Sequence, residues 1–98
     1  MPEMTFDVRW PDGSVQSCYS PSLVMHDYLS AGASYTVADF VDRSGMALAE
    51  ASERVRAKFG FMSTSAISTT EEIAEVASRF EPSARVHVTA MQPPLEAS

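Results

Sequence analysis

The chain has 98 residues, one domain's worth, long enough to bury roughly two-thirds of the surface its unfolded form exposes. Its apolar fraction of 45% excludes disorder. Thirteen acidic residues against seven basic ones, net −6, speak against a nucleic-acid backbone or an anionic membrane as partner, since both need a Lys/Arg footprint. The single cysteine excludes an internal disulfide framework and a Cys-rich zinc module.

From the N-terminus, Met4, Phe6, Val8 and Trp10 alternate with Thr5, Asp7 and Arg9, the period of a half-buried strand. Pro11-Asp12-Gly13-Ser14 is turn chemistry, and Val15 to Tyr19 returns as a second strand. Two registers suit this hairpin. A three-residue loop with Gly13 as a bulge pairs Trp10 with Ser14. A four-residue loop pairs Trp10 with Val15, Val8 with Ser17 and Phe6 with Tyr19. Only the longer loop gathers Val15 and Tyr19 under the apolar face, so the pattern favours it.

Ser20-Pro21-Ser22 reads as a helix start or a strand exit, and Leu23 to Leu29 as one helical turn or an irregular crossing. The small residues from Ser30 to Ser34 read as a flexible loop. Thr36 is placed to cap the main helix, with Asp39 in its first turn. Val37, Phe40, Val41, Leu48, Ala51, Val55 and Phe59 follow helical spacing, and Gly60 is a natural C-cap. Ser44-Gly45 interrupts this run, which predicts two consecutive helices rather than one, with Ser44 capping the second. Phe61 to Ser68 reads as a short strand. Thr69 with Glu72 has the signature of a capping box, and Ile73, Val76, Ala77 and Phe80 form the inward stripe of the helix that follows. Val86, Val88 and Ala90 alternate with Arg85, His87 and Thr89 in a final strand over 84–90.

The predicted class is α+β: a small, largely antiparallel sheet, in the order β-β-α-α-β-α-β, with helices on one face. The expected domain covers 3–90, with a mobile tail over 91–98. The uncovered sheet face would carry Arg9, Arg85 and His87, the candidate partner or dimer surface. A pocket between sheet and helices near Tyr19, His26 and Tyr28 is the candidate ligand site. Cys18, His26 and His87 lack metal-ligand spacing, and no nucleophile-base-orienter set is legible, so no metal, cofactor or catalytic residue is assigned. Arg54 and Arg56 point about 200° apart on a helix and do not form one anion clamp. The N-terminus has no basic, apolar leader pattern and no run is long enough to span a bilayer, so the expected compartment is the cytoplasm.

Four stretches taken together carry a resemblance. They are Phe6-Asp7-Val8-Arg9-Trp10-Pro11-Asp12-Gly13, Cys18-Tyr19-Ser20-Pro21-Ser22, Tyr35-Thr36-Val37-Ala38-Asp39-Phe40, and Ala51-Ser52-Glu53-Arg54-Val55-Arg56-Ala57-Lys58-Phe59-Gly60-Phe61. Over residues 3–90 the chain resembles a family of small bacterial nitrogen-starvation response proteins. In that family a cysteine often follows the Gly-Phe; Ser63 and Thr64 stand there in this chain, so a thiol role at that point does not carry over. The resemblance implies a gene neighbourhood more than a mechanism: a nitrilase, a radical S-adenosylmethionine protein, an acetyltransferase-like protein, a flavoprotein and a nucleotide-synthase-like protein. Such clusters are associated with nitrogen scavenging, including nitrile or cyanide use. It therefore implies a non-enzymatic accessory or adaptor, expected as a homodimer, with a cluster enzyme such as the nitrilase as possible partner. The alternative is a small-metabolite binder or minor enzyme.

Overall fold

The computed structural model describes residues 3–60 and 64–93. Strand β1 (Met4–Arg9) and strand β2 (Val15–Ser20) form the predicted hairpin. A short 3-10 helix (Leu23–Asp27), capped by the Ser22 hydroxyl, leads to strand β3 (Ser34–Thr36). Helix α1 (Val37–Phe59), helix α2 (Thr64–Ala77) and strand β4 (Arg85–Gln92) follow. The four strands make one antiparallel sheet in the order β2-β1-β4-β3. This is the expected α+β class, with the helical layer packed on one side of the sheet.

The core forms where the two periodicities meet. Alternation turns Met4, Phe6, Val8, Val86 and Val88 inward, and helical spacing brings Phe40, Ala47, Leu48 and Ile73 onto them. Trp10, just past β1, is 2% exposed; it meets Phe40 edge-on at 5.6 Å and stacks on Phe80 at 5.8 Å. Its indole N–H donates to Gln16 Oε1 at 2.9 Å.

The hairpin takes the shorter loop, which corrects the register favoured from sequence. Phe6 pairs with Cys18 and Val8 with Gln16, while the Trp10 amide donates to the Ser14 carbonyl at 2.8 Å. Local turn chemistry decides it. Gly13 adopts φ +88°, and Asp12 Oδ1 accepts from both the hydroxyl (2.6 Å) and the amide (2.9 Å) of Ser14. The Ser14 hydroxyl, first, and its amide hold the Asp12 carboxyl below the usual range. The consequence is that Cys18 and Ser20 become the buried residues of β2 and Val15 is left 62% exposed.

Three further expectations are corrected. First, α1 is one helix through Gly45. Ser44 is buried and its hydroxyl donates back to the Phe40 carbonyl at 2.7 Å, so it does not cap a second helix. Gly45 therefore sits in a helix interior, at a cost of about 1 kcal/mol relative to alanine. Thr36, Asp39 and Gly60 behave as predicted: Thr36 Oγ1 accepts from the Asp39 amide at 3.1 Å, and Gly60 closes the helix at φ +82°. The buried stripe stops at Val55, leaving Phe59 exposed.

Second, residues 64–68 are helical, not extended; residues 61–63 of the predicted strand lie outside the described residues. Thr69 is thus inside α2, not at its cap. Its hydroxyl serves the Tyr19 carbonyl of β2 at 2.8 Å, with the Ser65 carbonyl at 3.0 Å, and ties α2 to the sheet edge. Third, the small-residue stretch read as a flexible loop is pinned to β4. Gly32 donates to the Val88 carbonyl, Val88 donates to the Ala33 carbonyl, and β3 continues the pairing. Strand β4 also runs past the predicted end, through Gln92, with Met91 buried. A bulge at Thr89 lets Val88 and Met91 both face the core although they are three residues apart.

Candidate functional site

The sheet face away from the helices is built by the same alternation that fills the core. Its outward positions include Thr5, Asp7 and Arg9 on β1 and Arg85, His87 and Thr89 on β4. Pairing sets Arg9 directly opposite His87, and Arg85 lies two residues along the same face of β4. The predicted trio Arg9, Arg85 and His87 therefore comes together. With Trp10, Pro11 and Gly13 at the end of the hairpin, it lines a shallow, open depression of about 370 Å³.

The electrostatics of that depression are unusual for so acidic a chain. Arg43, Arg54, Arg56 and Arg79 each pair with a carboxylate three or four residues earlier. Among the described residues, Arg9 and Arg85 have no such partner. Arg9 and Arg85 stand diagonally across the adjacent strands, so two like charges share one face. Among the described residues, no acidic side chain lines the depression to offset them. Asp7, the nearest outward acid on β1, stands two positions away, opposite Ala90. Such a spot can attract a carboxylate or phosphate, with arginine offering paired donors.

Tyr19, His26 and Tyr28 are each engaged separately. The Tyr19 hydroxyl, at the sheet edge, donates to Glu3 at 2.8 Å; that carboxylate, first, then burial, raises its pKa. His26 Nε2 donates to the Pro93 carbonyl at 2.9 Å. The Tyr28 carbonyl accepts from Arg43 at 3.2 Å, and its ring packs against the core. Neither the sheet-face depression nor the groove between α1 and α2 is lined by any of the three. Cys18 is 1% exposed; burial, first, then Glu72 and Asp7 push its thiol up to about 12, so it packs as a small hydrophobe and carries no thiolate. Among the described residues, no group of three or more His, Cys, Asp or Glu could hold a metal ion. Nor is any described helix long and apolar enough to cross a membrane.

The groove between α1 and α2 was not legible as a feature from sequence. Its one signal, Gly45 within the helical stripe, reads equally as a helix break.

Fold and site together define a small antiparallel α+β domain whose distinctive surface is an open sheet face carrying Arg9, Arg85 and His87. The particular family follows from comparison with known proteins. The model of the nitrogen starvation-induced protein NitG matches residues 5–91, and the chain belongs to that family. No curated protein and no solved structure matches it.

Proposed function

We propose that this chain is a non-enzymatic, cytoplasmic accessory protein of the nitrogen-starvation response, acting as a homodimer in the scavenging of nitrogen from nitriles or cyanide. In this reading it docks an acidic segment of a cluster enzyme, with a nitrilase as first candidate, on its open sheet face. The observation that carries the reading is that Arg9 and Arg85, which have no ion pair among the described residues, converge with His87 on an open depression of an acidic protein. An acidic segment would neutralise charges that the described residues leave uncompensated.

The test is a tagged pull-down from nitrogen-starved cells, comparing wild type with Arg9→Glu/Arg85→Glu. Both positions are exposed, so the variant should keep its circular dichroism spectrum and melting temperature. Near-stoichiometric recovery of a cluster enzyme by wild type, lost in the variant, is the expected result. Equal recovery by both proteins, or recovery of the chain alone, counts against docking on this face. A metabolite carried by the chain in native mass spectrometry would favour a binder instead.

A further inference from the structure

We propose that the groove between α1 and α2 seats a second copy of this chain, with the two α1 helices crossing antiparallel about a two-fold axis near Ala49. This deepens the homodimer reading above by moving the dimer contact from the sheet to the helical layer, which leaves Arg9, Arg85 and His87 free for another partner.

Four observations lead there. The groove is about 460 Å³ and open; small and apolar side chains such as Leu48, Ala49 and Ile67 line most of it, with Glu53 and Glu71 also in its wall. Gly45 bears the penalty of a mid-helix glycine, yet its φ is not positive and a Cβ built there meets nothing within 4 Å. Among the described residues nothing requires a glycine there, whereas close approach of a second helix would. Ser52, 6% exposed, lines the same groove, and its Oγ has no hydrogen-bond partner among the described residues. Buried hydroxyls are normally satisfied, and this one stands in the groove wall without a partner from the described residues. Finally, Ile67 in the groove wall is 42% exposed, and Met46, next to Gly45 on α1, is 48% exposed.

Charge selects the occupant. Asp42, Ala49 and Arg56 are seven residues apart, so on a helix they fall within about 20° of one line. All three are exposed. Reversal about Ala49 sets Asp42 against Arg56 of the second copy at both ends of the crossing. It sets Gly45 against Glu53, so along α1 no acid is set opposite an acid. Asp42 has no ion pair among the described residues, and Arg56 has only Glu53, at 3.9 Å and well exposed. The stripe is thus negative at one end, small in the middle and positive at the other, and matches its own reverse. An isologous contact requires that self-complementarity.

Sedimentation velocity of the full chain, from nanomolar to high micromolar, is the direct test. Wild type should sediment as a dimer. Gly45→Leu, Asp42→Arg and Arg56→Asp should each weaken association about tenfold or more, because each obstructs or repels the second copy. The double variant Asp42→Arg/Arg56→Asp should recover the dimer, since the two charges exchange places across the axis. Circular dichroism controls for folding, and leucine at position 45 raises helix propensity. If every single variant dimerises like wild type, or the double variant stays as weak as the singles, this interface is overturned while the homodimer reading survives. A wild type that is monomeric throughout the range overturns both.

Discussion

Phe80 lies just beyond α2, half-buried, with its ring stacked at 5.8 Å and 11° on Trp10. It covers the side of the indole that Phe40, meeting it edge-on, does not. Phe80→Ala removes that cover. A fully buried Phe→Ala change costs about 3–5 kcal/mol, and half burial scales this to roughly 2 kcal/mol, of which about 0.5–1.5 is the ring-ring contact. For a domain of this size that lowers the melting temperature by roughly 8–16 °C. Trp10 is the only tryptophan in the chain, so its fluorescence reports both stability and local exposure. A urea titration should show an earlier midpoint, and the native emission should shift to the red as water reaches the indole. Phe80→Leu should recover roughly half of the loss, because it restores apolar area without the aromatic stack. An unchanged midpoint together with an unshifted native spectrum would refute the argument, because the ring would then not be what shields Trp10.

Two further outcomes follow from single contacts. Burial holds the Cys18 thiol up to about 12, against 9.0 for a free thiol, so the folded state keeps its proton longer than the unfolded chain does. The stability that this provides is complete below pH 9 and is lost as pH rises from 9 towards 12. Urea midpoints of wild type should therefore fall more steeply over that range than those of Cys18→Ala, and parallel curves would contradict the assignment. Thr69→Val keeps the shape of a buried side chain but strips the Tyr19 carbonyl of its donor from α2. It should cost about 1 kcal/mol and speed amide exchange in β2 more than in β4, which hydrogen-exchange mass spectrometry can resolve.

Much of the fold is legible wherever one local rule acts alone. The alternation from Met4 to Trp10 and along Val86 and Val88 follows from the two-residue period of a strand, and it is found in the core. Thr36, Asp39 and Gly60 mark the ends of α1 because orphan backbone groups at helix termini need those side chains or that left-handed turn. The misreadings fall where two rules compete. At the hairpin, facial gathering favoured one register and turn chemistry another; Gly13 and Asp12 prevailed, and Val15 was left in solvent. At Ser44 and Thr69 the hydroxyls looked like caps. Burial turned each onto a backbone carbonyl, and the helices run through them. Ser34–Thr36 carries almost no strand signal of its own and pairs because β4 offers it an edge.

The candidate site divides the same way. Outward placement of Arg9, Arg85 and His87 follows from alternation, which each strand's own sequence carries. Their meeting does not, since Arg9 and His87 are neighbours only because β1 and β4 pair across the middle of the sheet. By itself, then, the sequence determined the class of fold, the core faces of β1, β4 and α1, the termini of α1 and the family. Periodicity and capping are properties of a few consecutive residues. The tertiary structure alone decided the continuity of α1 through Gly45, the start of α2 and the gathering of Arg9, Arg85 and His87. Each of these depends on which distant surface a segment buries against, and no window of neighbouring residues contains that surface.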